Sequence, residues 1–347
     1  MPPKADPTFM KSFLKKTFLL FCIILFLSVT GFLILCYSSR TLEGLITFGG
    51  NRFQKEITIR KFTITKQTYD FPKKLTFQNV SLLFDREQEA YSLDFKTIEL
   101  SGLFGLIFKN HPVALQAEGG LFETSAFCLE GLEVNLKTTD TKVWKGPVLI
   151  KKAKASGFEA TNISGNAEVQ SQKAVVSDIK GSSYRGKVTG RLTVHFAPDV
   201  RYEADIAFQD LDTHEMESIN PSLFSQVRGQ IYGTILIRGP AGGLETIQMN
   251  MQLGEGAELL AGVLQPLLKH IPKSTQRKEI QAAIKEGRMI GINDAALTLG
   301  NSDDKTVSTE ILLKSKALNI DVDVKIDVNI EGGLQNLLKT VLQFYHP

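Results

Sequence analysis

GSSYRGKV, residues 181–188, comes within one residue of the phosphate-binding pattern G-x-x-x-x-G-K-[ST]. That chemistry needs a lysine on the phosphates, a hydroxyl on the metal and a helix N-terminus facing the charge. Val188 stands where the hydroxyl belongs, and VTGRLTVHF continues with the alternation of a strand. The stretch therefore reads as a hairpin turn. Asp321, Asp323 and Asp327 are a second candidate, for a cation. They fall on alternate positions of NIDVDVKIDVNIEGG (319–333), where next-but-one residues of a strand lie ~6.6 Å apart. Lys325 sits among them, so a solvated sheet face is expected rather than a calcium site. His111, His195, His214, His270 and His346 are scattered without ligand spacing. Cys22 and Cys36 lie in an apolar run, Cys128 stands alone in the remainder, and metal-type spacing is absent. NVS (79–81) and NIS (162–164) match the glycosylation sequon at a chance frequency. No nucleophile, base and orienting group assemble from these residues. The expectation is a protein that is not an enzyme, with no metal and no cofactor.

The residues that remain distinctive are apolar. Ile320, Val322, Val324, Ile326, Val328 and Ile330 occupy every second position, against Asp321, Asp323, Lys325, Asp327 and Asn329. Successive strand side chains point to opposite faces, so an extended chain here has one aliphatic and one charged face. β-Branched residues favour that state. The aliphatic face is built to meet either a protein core or a lipid, and periodicity alone does not choose between them.

The N-terminus carries a different apolar signal. Thr17 to Tyr37, TFLLFCIILFLSVTGFLILCY, contains no charge. Phe18, Leu19, Leu20, Phe21, Ile23, Ile24, Leu25, Phe26, Leu27, Phe32, Leu33, Ile34 and Leu35 supply its bulk. A helix of that length spans roughly 30 Å, the hydrocarbon core of a bilayer. Lys4, Lys11, Lys15 and Lys16 precede it and place residues 1–16 on the cytoplasmic side, with 38–347 beyond the membrane. A cleaved signal peptide, with Val29 and Gly31 at the cleavage positions, is the alternative, but the run exceeds an h-region of roughly 7–15 residues. An uncleaved single-pass anchor at 17–37 is expected.

Composition fits a folded chain: 43% hydrophobic and 22% charged residues exclude wholesale disorder. A net charge of +3 without a basic, aromatic-interleaved patch argues against nucleic acid. Strand-like runs begin at EITIRKFTIT (56–65), where the alternation changes phase between Ile59 and Phe62. They continue through LTFQNVSLLF, AYSLDFKTIEL, VALQAEGGLFETS and LEVNLKTT, and the pattern loosens around Trp144 and Pro147. From 147 onward, Gly, Asn, Asp or Pro recurs about every 8–12 residues, the spacing of an all-β sheet with tight turns. Two helices are expected within 254–287. GEGAELLAGVLQPLLKHIP (254–272) carries leucines at i, i+3, i+4 spacing, and STQRKEIQAAIKEG (274–287) follows it. A terminal helix is expected at 333–343. Residues 38–146 then form the first part of a β-rich region and 147–347 the second.

Several of these runs resemble the AsmA-like family of envelope proteins. SSYRGKVTGRLTVHF is similar to the family's aromatic turn, glycine and alternating strand. RGQIYGTILIRGPAGGLETI resembles its glycine-spaced unit, and LNIDVDVKIDVNIEGGLQNLLK is similar to the last strands of the YdbH-like branch. The membrane segment followed by IELSGLFGLIFKNHPVALQAEG fits the family's beginning. The resemblance, which extends to TamB, implies a mainly β protein: an N-terminal transmembrane helix, then an elongated, curled antiparallel sheet with a few short helices. It implies a bacterial inner-membrane protein with its bulk in the periplasm, binding phospholipid or another acyl lipid in a hydrophobic groove and supporting phospholipid transport to the outer membrane. Ile320 to Ile330 would form part of the groove floor. Large members are several times longer, and roughly 16–18 strands at ~4.8 Å give only about 80 Å, so action near one membrane or with an envelope protein partner is expected. The rival reading is an envelope scaffold or outer-membrane protein assembly factor that works through exposed edge strands.

Overall fold

The computed structural model describes residues 57–70, 73–86, 89–102, 111–124, 127–140, 142–155, 158–196, 200–219, 221–240, 244–269, 275–301, 306–316 and 320–329. The expected membrane anchor at 17–37, the terminal helix at 333–343 and Ile330 lie outside them. Among the described residues the protein is mainly β. The first half contributes β1 (Ile57–Asp70), β2 (Lys74–Arg86), β3 (Glu89–Ser101), β4 (Val113–Glu123), β5 (Phe127–Thr138), β6 (Trp144–Ala155), β7 (Phe158–Val169), β8 (Lys173–Ser183), β9 (Gly186–His195) and β10 (Arg201–Asp212). The second contributes β11 (Val227–Arg228), β12 (Gln230–Pro240), β13 (Thr246–Leu253), β14 (Glu258–Leu260), β15 (Met289–Gly291), β16 (Asp294–Asn301), β17 (Thr306–Ser315) and β18 (Ile320–Asn329).

Fifteen of these strands form one sheet in the order β1-β2-β3-β4-β5-β6-β7-β8-β9-β10-β12-β13-β16-β17-β18, and β11, β14 and β15 form a small second sheet. Every pairing is antiparallel and joins neighbours in the chain, apart from the excursions that hold the small sheet. The meander runs without interruption through Trp144 and Pro147, both inside β6. Proline has no N–H to give a ladder, yet the β6 alternation survives because Val148 still pairs with Val134 on one side and Gly165 on the other.

Directly paired residues share a sheet face. One row runs Phe62, Leu82, Leu93, Phe122, Leu129, Ala153, Ala160 across seven strands. Another runs Val176, Leu192, Ala204, Ile237, Ile247. A third runs Met251, Leu297, Ile311, Val324 to the far edge. The result is a single apolar face from β1 to β18 with a polar face behind it.

Strict alternation does not hold along each strand, and the exceptions share one form. Asn79 (φ 50°), Gly119 (65°), Gly131 (68°), Asn162 (52°), Asp178 (53°) and Asp210 (58°) all sit mid-strand in the left-handed region. Asn, Asp and Gly are the residues that tolerate it. Each is the third residue of a four-residue segment: FQNV, AEGG, LEGL, ATNI, VSDI and FQDL. Register shifts accompany five of these segments. Such a bulge adds one residue and flips the phase, so Leu129 and Leu132, or Phe208 and Leu211, stay on the same face three positions apart. The phase change in β1 has the same origin, a register shift between Ile59 and Lys61.

The chain leaves the large sheet twice on the same margin, at 213–229 and 254–293. The first excursion holds a 3-10 turn (Glu215–Ser218) and the short helix α1 (Pro221–Phe224). It buries Met216 and Ile219 against Phe208, Leu211 and Ile231. The second holds a 3-10 helix (Ala261–Lys269) and helix α2 (Thr275–Glu286). Leu264, Ile280, Ala283 and Ile290 pack there with Leu313 of the large sheet. The expected first helix at 254–272 is thereby corrected. Glu258–Leu260 is a strand paired with Val227–Arg228 and Met289–Gly291, and only a 3-10 segment follows. Gly256 at φ 78° breaks helical geometry, and Pro266 cannot donate an intrahelical bond. The second expected helix is α2.

Candidate functional site: the apolar sheet face

The apolar face falls into two parts with different cover. All three buried hydrophobic clusters draw their core residues from 208–313. There the excursions and Leu244 lie on the face, and Leu264, Ile280 and Ala283 are each 1% exposed. Over β1 to β9 no described helix or second sheet packs on the face. Among the described side chains β6 has none buried, and β7 buries only Ala167. The inward side chains of this part include Val113, Ala117, Ile64, Val80 and Leu136, which are buried, and Leu132, Ile150, Ile163, Val176 and Leu192, which are half-buried. No second layer among the described residues matches this apolar strip, and a continuous apolar surface marks an interaction site.

One margin of this strip is aromatic. The Phe84 and Tyr91 rings stack at 5.0 Å, Tyr91 and Phe122 at 6.4 Å, and Phe122 meets Phe127 at 5.3 Å. Phe158 meets Tyr184 edge-on at 5.9 Å. These residues stand at the β2–β3, β4–β5, β6–β7 and β8–β9 ends of the meander, and Phe127 and Phe158 are 38% and 48% exposed. The Glu159 backbone N–H donates to Tyr184 Oη at 3.0 Å. Burial raises the Tyr184 hydroxyl above the ordinary tyrosine range, partly offset by that bond.

The polar face is laced with exposed ion pairs: Lys145–Glu168 at 2.9 Å, Lys152–Glu159 at 2.7 Å, Lys154–Glu130 at 3.5 Å and Arg238–Glu203 at 3.2 Å. Its dents, of about 390 and 320 Å³, are lined by residues such as Gln248, Asn250 and Thr298, or Gln170, Lys173 and Arg191. Nothing in either aligns a nucleophile with a base.

The structure places Ile320, Val322, Val324, Ile326 and Val328 on β18, opposite Ser315, Leu313, Ile311, Thr309 and Val307. Asp321, Asp323 and Asp327 are exposed, and no group of three His, Cys, Asp or Glu suited to a metal occurs among the described residues. GSSYRGKV forms a two-residue hairpin turn with Tyr184 at φ 43° and Arg185 at φ 62°. Arg185 is held there by Glu215 at 2.7 Å and Asp212 at 3.6 Å. Asn79 and Asn162, the sequon residues, are both bulge residues, which accounts for Asn at those positions. The anchor residues Phe18 to Leu35 lie outside the described residues, among which no helix is long and apolar enough to cross a membrane.

Alternation alone predicts neither the aromatic margin nor the left-handed bulge segments. The bulge segment is written in the sequence as apolar-x-[NDG]-apolar five times and as AEGG once. No family model, curated protein or solved structure matches the chain.

Proposed function

We propose that this protein is a membrane-anchored lipid-binding protein of a bacterial envelope, with its bulk in the periplasm, taking acyl chains of phospholipids into a groove formed by the apolar face and assisting their transport toward the outer membrane. The observation that carries this reading is the apolar face over β1 to β9, on which no described helix or second sheet packs. A bulge bends its strand and increases local twist. Asn79, Gly119, Gly131 and Asn162 stand close to one another across β2 to β7, because Asn79 and Gly119 both flank Lys96, and Gly131 and Asn162 both flank Lys151. In this reading a crease along that line curls the sheet toward its apolar side and brings the apolar side chains closer together. Each methylene moved from water into such a groove contributes ~0.8 kcal/mol.

The structure shifts the best position for testing this from β18 to the first half. A photocrosslinking residue replaces Ile150, on the apolar face, in one variant and Lys151, on the polar face, in another. After irradiation in cells, lipid adducts at 150 and not at 151 are the expected result. Adducts from 150 to protein alone would refute the groove. A scaffold or assembly role remains the second reading because β1 and β18 each have a neighbour on one side only among the described strands. It requires a stable protein complex that carries no lipid.

A further inference from the structure

The cover over the second half comes from both margins, and among the described residues it does not meet in the middle. Met216 and Ile219 of the first excursion pack on Phe208, Leu211 and Ile231, and Ile235 and Met251 lie against that group. Leu244, in the β12–β13 connection, packs from the opposite margin on Val307, with Ile237, Ile247 and Leu299 against it. The 254–293 excursion packs on Leu313, with Ala295 against it. Along β13 the two walls claim Ile247 and Met251 and skip Met249. Along β16 they claim Leu299 and Ala295 and skip Leu297. Both skipped side chains stand on the apolar face, since Met249 pairs with Ile235 and Leu297 with Met251. Ile206, paired with Ile235, and Ile311, paired with Leu297, share that face and belong to none of the three groups. All four are half-buried. On β12 no side chain is left over: Ile235 and Ile237 are next-but-one neighbours on one face and lie against opposite walls.

We infer that the apolar strip of β1 to β9 continues past β10 as a lane one side chain wide, over Ile206, Met249, Leu297 and Ile311, and that this lane takes a lipid with a single acyl chain, such as a lysophospholipid, while two-tailed phospholipids stay on the strip. This rests on the lipid-binding reading. On the strip no described element stands on the face, so two tails can lie abreast. In the lane the walls occupy the rows on either side of Met249. Next-but-one residues of a strand are ~6.6 Å apart, and a polymethylene chain sits ~4 Å from its nearest carbon neighbours. One chain fits along such a row, and a second would displace Leu244 or Met251 from its packing. The narrowest place is β12, where Ile235 and Ile237 leave nothing between them. Met249 stands beside it, an unbranched side chain that adapts its shape to a neighbour. A two-tailed lipid enters only by separating its tails, which exposes to water the apolar surface that a bilayer keeps covered.

The test uses the full-length protein with a photocrosslinking residue in place of Leu297, and a companion with it in place of Ile150. Each is incubated with phosphatidylcholine vesicles doped with lysophosphatidylcholine of the same acyl length, irradiated, and its adducts are told apart by mass. Both lipids are expected at 150, and lysophosphatidylcholine alone at 297. Leu244→Ala removes one wall and should bring phosphatidylcholine adducts to 297 while those at 150 persist. Phosphatidylcholine at 297 in the same proportion as at 150, or its continued exclusion from 297 in the Leu244→Ala protein, overturns the single-chain assignment and leaves the groove standing. Adducts at 150 with neither lipid at 297 overturn the lane. No lipid at either position overturns the groove itself.

Discussion

Lys96 lies across Gly119. Its Cδ is 2.7 Å from the place a Cβ on residue 119 would occupy, while Gly119 itself sits at φ 65°. Lys151 lies across Gly131 in the same way, with its Cδ at 2.6 Å. Both glycines are mid-strand bulge residues, and both turn their bare side to a lysine stem on the polar face. The lysine can move aside, but the backbone angle cannot be accommodated without cost. Gly131→Ala is expected to lower stability by about 1–2 kcal/mol. Gly291→Ala, where a Cβ would meet nothing within 4 Å and φ is ordinary, should be close to neutral. Denaturant midpoints of the two variants check the difference.

Asn162 tests the same bulge without a glycine. Asn162→Gly keeps the left-handed residue and should leave the midpoint within about 0.5 kcal/mol of wild type. Asn162→Val places a β-branched residue at φ 52° and should cost about 1–3 kcal/mol. Equal effects of the two would mean that the bulge is not what orders this strand.

The covered end should behave as an ordinary core. Ile280 is 1% exposed among Leu264, Ala283 and Leu313. Ile280→Ala is expected to cost ~2–5 kcal/mol by cavity formation. Because this core is separate from β1 to β9, lipid adducts at position 150 should persist under conditions where the variant is still folded. Loss of adducts in parallel with the mutation would make the two halves one cooperative site.

Tyr184 joins the aromatic margin to the backbone of the neighbouring turn. Tyr184→Phe removes the acceptor of the Glu159 N–H and should cost about 0.5–1.5 kcal/mol. Burial keeps the native hydroxyl protonated to higher pH than in the unfolded chain. Its contribution is therefore complete below the ordinary tyrosine value near ~10 and fades as pH rises through the native value. Ultraviolet titration of wild type against Tyr184→Phe isolates this group.

Cys128 offers a control on the polar face, opposite Lys154. Burial first, then the charges of Glu130 and Glu123, raise its thiol above the usual range. With Cys22 and Cys36 replaced by serine, maleimide labelling should rise at higher pH than for a free cysteine. Glu130→Gln should bring that rise to lower pH. Lipid loading should leave the rate unchanged, since residue 128 faces away from the apolar strip. Protection by lipid would place acyl chains on the wrong face.

The alternation of β18 illustrates how far local pattern reaches. Ile320 to Val328 needs only the two-residue period of a strand to set its two faces, and that period is written in residue type. The hairpin at Tyr184 and Arg185 was legible for a related reason: a strand on each side leaves room only for a turn. The bulges were harder. They appear in the sequence as a broken alternation, and a break reads as the end of a strand until a neighbouring strand shows that pairing continues past it. Residues 144–155 were obscured in the same way, since Pro147 weakens a local pattern that β5 and β7 restore by pairing on both sides. Leucine spacing predicts a helix over 254–272, but pairing with Val227–Arg228 and Met289–Gly291 claims Glu258–Leu260 as a strand.

The sequence by itself determined the class of structure and the faces of most strands, because side-chain polarity and backbone preference act over a few residues. Only the tertiary structure decided which stretch of the apolar face is covered. Cover is a long-range property: the excursions at 213–229 and 254–293 fold back over β10 to β17, and nothing in the strands beneath them differs in kind from Leu132, Ile150 or Ile163, which no described element covers. An aliphatic side chain is the same whether it meets a helix or a lipid, so that choice is made by where the rest of the chain goes.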